Sequence, residues 1–361
     1  MHLSFSPRLS ASLSLLLSVL CPSAHAEEVR SRPVGYLVQT IPAGQTRSFS
    51  VPFDAATTSL PSATGTLTAV GTNYLENSAA TWTPGAFSTA DAPYFIRLTS
   101  GAHAGRSFRI VTPANTATRL TIADDGLGLT SLALDVSSSS NPGTRFEIIP
   151  GDTLATFFGT TTPTDTLVVQ GAGDPLAADL VQVWGGAAWL NFYYNTVWQR
   201  WARDTDTITD PSRNSFLLRS DRGLMLTRRA GTPLELAVLG RVLNTPQRAF
   251  HARTDNALTF LATMQAAPTT LGALALQSST RTSGWRSAAD PADADLLLVW
   301  SGTTWFSFFH NSVAGHWQRV GDPSPDRDNY EIAPGTPVFV RRHGSGATAE
   351  DKTINFPPPG T

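Results

Sequence analysis

The sequence predicts an all-β protein: two related antiparallel β modules, sandwich- or barrel-like, with a small β-barrel-like domain inserted in the first. Three observations predict it. A twenty-residue block occurs twice, as ADLVQVWGGAAWLNFYYNTV from Ala178 and ADLLLVWSGTTWFSFFHNSV from Ala294. Short apolar runs are separated by Gly, Asn, Ser and Pro, which make turns. Only one single-turn helix is expected, starting at Asp174 or Asp290, where Asp serves as cap and Pro175 or Pro291 takes the first helical position.

The repeat fixes the organisation. At an offset of 116, Trp184 matches Trp300, Trp189 matches Trp305, Phe192 matches Phe308 and Asn195 matches Asn311. Upstream, Asp174-Pro175 matches Asp290-Pro291. Downstream, three extra residues are placed in the second copy, so that Trp198-Gln199-Arg200 aligns with Trp317-Gln318-Arg319. Farther on, Arg228-Arg229 aligns with Arg341-Arg342. Each copy is introduced by a strand ending in Pro, VGYLVQTIP from Val34 and VLGRVLNTP from Val238, and SFSVPF from Ser48 corresponds to ALTFLA from Ala257. A block of about 90 residues interrupts the first copy and has the size and position of an inserted domain. The expected boundaries are 1–26 for a signal peptide, 27–63 with 152–245 for the first module, 64–151 for the insert, and 246–361 for the second module.

Strands are expected at Leu180 to Trp184, Trp189 to Tyr194 and Val197 to Trp201, forming a meander, and at Leu296 to Trp300. In the insert they are expected at Tyr94 to Leu98, Phe108 to Val111, Leu120 to Ile122 and Phe146 to Ile149. Ser100-Gly101 and Asn115 supply turns between them.

The chain has 361 residues, long enough at about 150 per domain for two or three. Charged residues make up 15% and the net charge is −2, which argues against nucleic-acid binding through a basic face. Arg8, the apolar run Leu13 to Leu20 and Ala24-His25-Ala26 have the pattern of a secretory signal cleaved before Glu27. A lipoprotein alternative at Cys21 is weaker, with Leu20 before the Cys and Pro22 after it. Cys21 is the single Cys, so a mature chain from Glu27 has no disulfide or Cys-based metal site. No later apolar run is long enough to cross a bilayer as a helix. The expected location is the periplasm, the cell surface or the medium.

The VGY start at Val34, the phrase Leu98-Thr99-Ser100-Gly101 with Ala104-Gly105-Arg106, the Phe192-Tyr193-Tyr194-Asn195 run and the Arg-Arg strands resemble those of a family of exported bacterial proteins built from repeated β modules. The resemblance covers nearly the whole mature chain. That family usually has a longer loop where this chain has Gly185-Gly186-Ala187-Ala188. It carries no assigned activity, so the resemblance implies the fold and export but no catalytic residues.

Candidate binding residues come from strand alternation. Trp189, Asn191, Tyr193 and Asn195 share one face, and Trp305, Ser307, Phe309 and Asn311 share its equivalent. Aromatic rings interleaved with amides and hydroxyls suit sugar rings. The competing reading of the same residues is an aromatic ladder packed against a neighbouring sheet. The binding candidates are Trp189, Asn191, Tyr193, Trp305, Ser307, Phe309 and Asn311. Asp204, Asp206, Asp210 and Asp322, Asp326, Asp328 lack EF-hand spacing and are read as solvated turns. The Arg pairs are read as edge-strand charges. His103, His251, His310, His316 and His343 lack metal-ligand spacing, and Gly344-Ser345-Gly346 lacks the nucleophile elbow. No catalytic group, metal site or cofactor is predicted. The sequence therefore points to a non-catalytic exported β-repeat protein of the envelope, surface or extracellular matrix, with extracellular polysaccharide or envelope proteins as partners. Its alternatives are a carbohydrate-binding module and a hydrolase of extracellular polymers.

Overall fold

The computed structural model describes residues 34–357 apart from 56–61, 88, 90–92, 112–114, 124–128, 162–165, 244, 251–255, 279–283, 323–324 and 345–352. The proposed signal peptide, His251 and Ser345-Gly346 lie outside the described residues. The fold is all-β, and no helix among the described residues exceeds five residues. No helix there is long and apolar enough to cross a membrane.

Two five-stranded antiparallel sheets organise the chain. The first runs Arg200–Arg203, Trp189–Asn195, Leu180–Trp184, Leu224–Thr227, Thr46–Phe49. The second runs His316–Arg319, Trp305–Asn311, Leu296–Trp300, Pro337–Arg341, Leu258–Ala262. The strand order is the same in both. So is the register of the central hairpin: Trp184 lies opposite Trp189, and Trp300 opposite Trp305.

Register also corrects two sequence alignments. Tyr194 pairs with Trp201 and Phe192 with Arg203, while His310 pairs with Trp317 and Phe308 with Arg319. The offset of 116 therefore holds through this strand and no three residues are inserted. In register, the counterpart of Trp317-Gln318-Arg319 is Trp201-Ala202-Arg203 rather than Trp198-Gln199-Arg200. Those residues mostly form the turn before the strand, which begins at Arg200 rather than Val197. Likewise Leu180 pairs with Thr227 and Leu296 with Arg341. Thr227 thus stands where Arg341 does, and Arg228 stands where Arg342 does, one residue away from the sequence alignment.

One face of each sheet covers a core. In the first, Phe192, Tyr194, Trp201, Val181 and Leu226 pack with Leu234, Leu236 and Val238 from a three-stranded sheet of Val34–Ile41, Leu234–Val242 and Phe53–Ala55. In the second, Leu297, Phe308, Trp317 and Val340 pack with Ala249, Ile354 and Phe356 from the strands Gln247–Phe250 and Thr353–Phe356. This arrangement revises the reading of VLGRVLNTP as the strand that introduces the second copy, while Leu234–Val242 stays within the expected 152–245. Val34–Ile41 and Leu234–Val242 are antiparallel partners, with Tyr36 opposite Leu239. The segment from Val238 thus closes the first core instead of opening the second. Its outward side leaves Tyr36 67% and Leu239 53% exposed.

The expected turn of helix at Asp174 and Asp290 is an Asx turn. Asp174 Oδ1 accepts from Leu176 N and Asp290 Oδ1 from Ala292 N, both at 2.8 Å. This local bonding competes with helix propagation. The helical turns occur elsewhere, at Leu154–Phe158 and Leu271–Leu274, each entered through an extended Thr. Thr153 Oγ1 accepts from Thr156 N and Thr270 Oγ1 from Ala273 N, both at 3.2 Å. These caps supply acceptors for otherwise orphaned N–H groups. Leu154, Phe158, Leu271 and Leu274 are fully buried.

The insert has its own core, including Leu75, Ile96, Leu98, Phe108, Leu120, Phe146 and Ile148. Its strands pair in a ring. Ala63–Thr66, Arg145–Pro150, Tyr94–Leu98 and Ser107–Arg109 form one sheet; Ala69–Val70, Tyr74–Glu76 and Arg119–Thr121 form another. The bridge Ile110–Ile122 joins them on one side. Thr68 N, donating to Glu76 O at 2.8 Å, continues the first strand into the second sheet on the other. Ring closure leaves few free strand edges.

The phrase at Ala104-Gly105-Arg106 docks the insert on the second copy. Arg106 bridges Arg248, and Arg248 Nε donates to Ala104 O at 3.1 Å. Gly105 has φ +88°, and a Cβ there would lie 2.0 Å from Pro246 O. Only glycine meets both demands.

Candidate functional site

The aromatic faces of the two sheets meet each other. Phe339, buried on the second sheet, has its ring centroid 5.1 Å from Trp184, 5.8 Å from Trp189, 4.8 Å from Trp305 and 4.6 Å from Phe260. Trp189 also meets Phe260 at 5.4 Å. Most of these contacts are edge-to-face, the arrangement the ring quadrupole favours. Trp184 Nε1 donates to Leu258 O across the junction at 2.8 Å. Edge strands cooperate: Gly223 N donates to Phe260 O at 3.2 Å and Ala262 N to Asp221 O at 3.1 Å. This geometry matches the ladder reading of the aromatic residues.

The seven candidate residues are therefore divided. Trp189 and Trp305 are half-buried in the seam. Tyr193 and Phe309 are buried, 3% and 2% exposed, against Ala178 with Leu180 and Ala294 with Leu296. Asn311 Oδ1 accepts from Val313 N and Ala314 N at 2.8 and 3.0 Å, and Asn195 does the same for Val197 N and Trp198 N at 2.9 and 2.8 Å. Both hold the turn after the aromatic strand. Asn191 is half-buried; it accepts from Gln182 Nε2 at 3.0 Å and donates to Asp204 Oδ2 at 2.7 Å. Ser307 is half-buried as well.

The paired arginines are not edge charges. Arg228 reaches Asp179, and Arg342 Nε lies 3.2 Å from Asp295 Oδ2. Both aspartates are completely buried. Asp179 also accepts from Gln170 N at 2.8 Å and Arg229 N at 2.7 Å; Asp295 accepts from Arg286 N and His343 N, each at 2.7 Å. Burial is tolerable because every carboxylate oxygen has partners. Sequence reasoning missed these acids. Their signal was Asp179 and Asp295 standing between Ala and Leu at the same place in both blocks, where a solvent-facing Asp has no reason to recur.

The acid-rich turns are also tied down. Asp206 holds Arg213 through two 2.8 Å contacts, and Asp322 holds Arg327 at 2.7 Å. Hydrogen bonds from Arg213 outweigh burial and keep the Asp206 carboxyl below its ordinary pKa. Among the described residues no three His, Cys, Asp or Glu side chains are grouped to hold a metal.

A four-charge cluster joins the insert to the first copy. Asp54 accepts from Arg97 at 2.8 and 2.6 Å and from Arg241 Nε at 3.0 Å. Glu147 accepts from Arg97 Nε at 2.8 Å and from Arg241 at 3.0 and 3.2 Å. Burial alone raises both carboxyls, but the two guanidinium groups outweigh it and hold them below their ordinary values. The strands bring the charges together: Arg97 lies opposite Glu147, and Asp54 opposite Arg241.

Beside this cluster a cleft opens where the insert returns to the first copy. Asp152 lines it together with Phe53, Phe95 and Arg222. Burial raises the Asp152 pKa from 3.8 to about 6. No protein-family profile matches the chain, and neither a curated protein nor a solved structure is detectably similar to it.

Proposed function

We propose that this is a non-catalytic, exported β-repeat protein with a structural or interaction role in the cell envelope, at the surface or in the extracellular matrix. One observation carries the reading: acids at matched positions of both sheets are bound to arginines. Asp179 with Arg228 and Asp295 with Arg342 are buried pairs; Asp206 with Arg213 and Asp322 with Arg327 brace the following turns. Groups held this way organise the scaffold and are poorly placed to give or take protons. The signal-like segment and the resemblance to exported repeated-β proteins support the location, and the shared strand order supports an origin by duplication. The test is a strain lacking the gene. It should show altered adhesion, matrix or envelope integrity, restored by the wild-type gene. Unchanged phenotypes, or reproducible polymer turnover by purified protein that a single substitution abolishes, would defeat the proposal.

Glycan binding is a second reading, favoured by one feature. Trp189 and Trp305 are half-buried rather than buried, as are Asn191 and Ser307 on the same strands. A glycan array probed with wild-type protein, followed by acrylamide quenching with and without any hit, tests it. Binding without protection of tryptophan fluorescence would place the sugar elsewhere.

A further inference from the structure

We propose that the cleft at the exit of the insert binds a small organic monocarboxylate with an apolar body. The cleft is open to solvent, and its space of about 530 Å³ includes that open mouth, so a ligand there lies partly in water. Phe53 and Phe157 of the first copy and Phe95 of the insert supply apolar wall. Such a surface takes an aromatic ring or short alkyl chain.

The polar lining selects the headgroup. Among the described residues the Arg222 guanidinium has one long ion pair, to Asp221, and its side chain is a quarter exposed. Its nearest carboxylate oxygen, Asp221 Oδ1, is 3.9 Å from Nε. That oxygen already accepts from Arg219 Nε at 2.9 Å, and Asp221 Oδ2 from Arg219 Nη2 at 3.0 Å. Burial disfavours the Arg222 charge. A ligand carboxylate would add the close, two-oxygen contact that Asp221, engaged with Arg219, does not make. Asp152 sets the limit of one carboxylate. It lines the same cleft, and its ionised form repels a second ligand anion. The remaining lining charges are satisfied: Asp54 by Arg97 and Arg241, and Arg219 by Asp221. Ser220, exposed at the mouth, adds a hydroxyl.

The test is calorimetric titration of the full chain with benzoate and hexanoate, using benzamide and succinate as comparators. Benzoate should bind at least about tenfold more tightly than benzamide, a difference expected of a charge-assisted pair. Succinate should bind more weakly than benzoate above pH 6. Arg222→Gln should lower benzoate affinity about tenfold, and Arg222→Lys should retain part of it. Absence of binding by either acid overturns the proposal. So does equal affinity for benzamide, or unchanged affinity in a folded Arg222→Gln protein. Should that variant fail to fold, the benzoate–benzamide comparison on wild-type protein still decides.

Discussion

Replacing Asp295 by Ala removes an acceptor that three groups share. Arg286 N and His343 N each lose a 2.7 Å hydrogen bond, and Arg342, 1% exposed, loses its carboxylate. Stranding one member of a buried ion pair costs about 3–5 kcal/mol. Each backbone N–H left unpaired adds about 1–3 kcal/mol, reduced where water enters the space of the missing carboxyl. The Gly284 carbonyl, which accepts from Arg342 Nη2 at 2.5 Å, keeps part of the guanidinium satisfied. The expected net loss is therefore about 4–6 kcal/mol, against a total stability of about 5–15 kcal/mol for a typical domain. Asp295→Asn retains one carbonyl acceptor and should cost less, about 2–4 kcal/mol. Asp179→Ala should cost about as much as Asp295→Ala, because Asp179 holds Gln170 N, Arg229 N and Arg228 in the same way. Urea unfolding followed by tryptophan fluorescence, with circular dichroism alongside, measures all three. A loss below about 1 kcal/mol for either Ala variant would refute the assignment of these acids as structural clamps.

Phe339→Ala should cost about 3–5 kcal/mol, the usual penalty for emptying a buried aromatic site, and should raise acrylamide quenching of tryptophan fluorescence because four rings lose their common neighbour. Asp152→Asn should change the pH profile of stability. The folded-state pKa is raised by burial, so the stability Asp152 contributes is present below its unfolded pKa of 3.8 and lost as pH rises through about 6. That loss amounts to at most about 3 kcal/mol, and urea midpoints at pH 4 and pH 7 should show it in wild type but not in Asp152→Asn. Asp54 and Glu147 act in the opposite sense: their lowered pKa values add stability above the ordinary carboxylate range that disappears as pH falls. Arg97→Met should blunt that acid-side dependence and increase hydrogen exchange around Tyr94–Leu98. Tyr36→Ser should leave stability within about 0.5 kcal/mol, since the ring is mostly exposed; a larger loss would mean that this sheet face is covered by something.

How much was legible follows from what each signal measures. The first strand of each aromatic hairpin was legible to the residue: the expected Leu180 to Trp184 and Leu296 to Trp300 strands are the observed ones, because apolar alternation and a glycine turn fix a strand whose two faces are both covered; the second strand of the first hairpin runs one residue farther than expected, to Asn195. Identity matching failed just beyond it. Trp198-Gln199-Arg200 and Trp317-Gln318-Arg319 share three letters, yet one group leads into the strand and the other lies within it. Letters record chemistry, whereas register records which backbone groups pair, and only the latter keeps Trp201 and Trp317 buried in their cores. The one-residue error at the arginines has the same origin. Two adjacent arginines look interchangeable in a sequence, but on leaving a strand one points inward and its neighbour outward. The buried aspartate decides which, and at Asp179 and Asp295 it selects Arg228 and Arg342. The seam and the cleft were not legible because both form between segments distant in sequence: Trp189 meets Phe339, and Asp152 meets the loop at Ser220. Alternation gave the faces of each strand, but the face that meets a partner depends on how the sheets stack, and that is a property of the assembled chain.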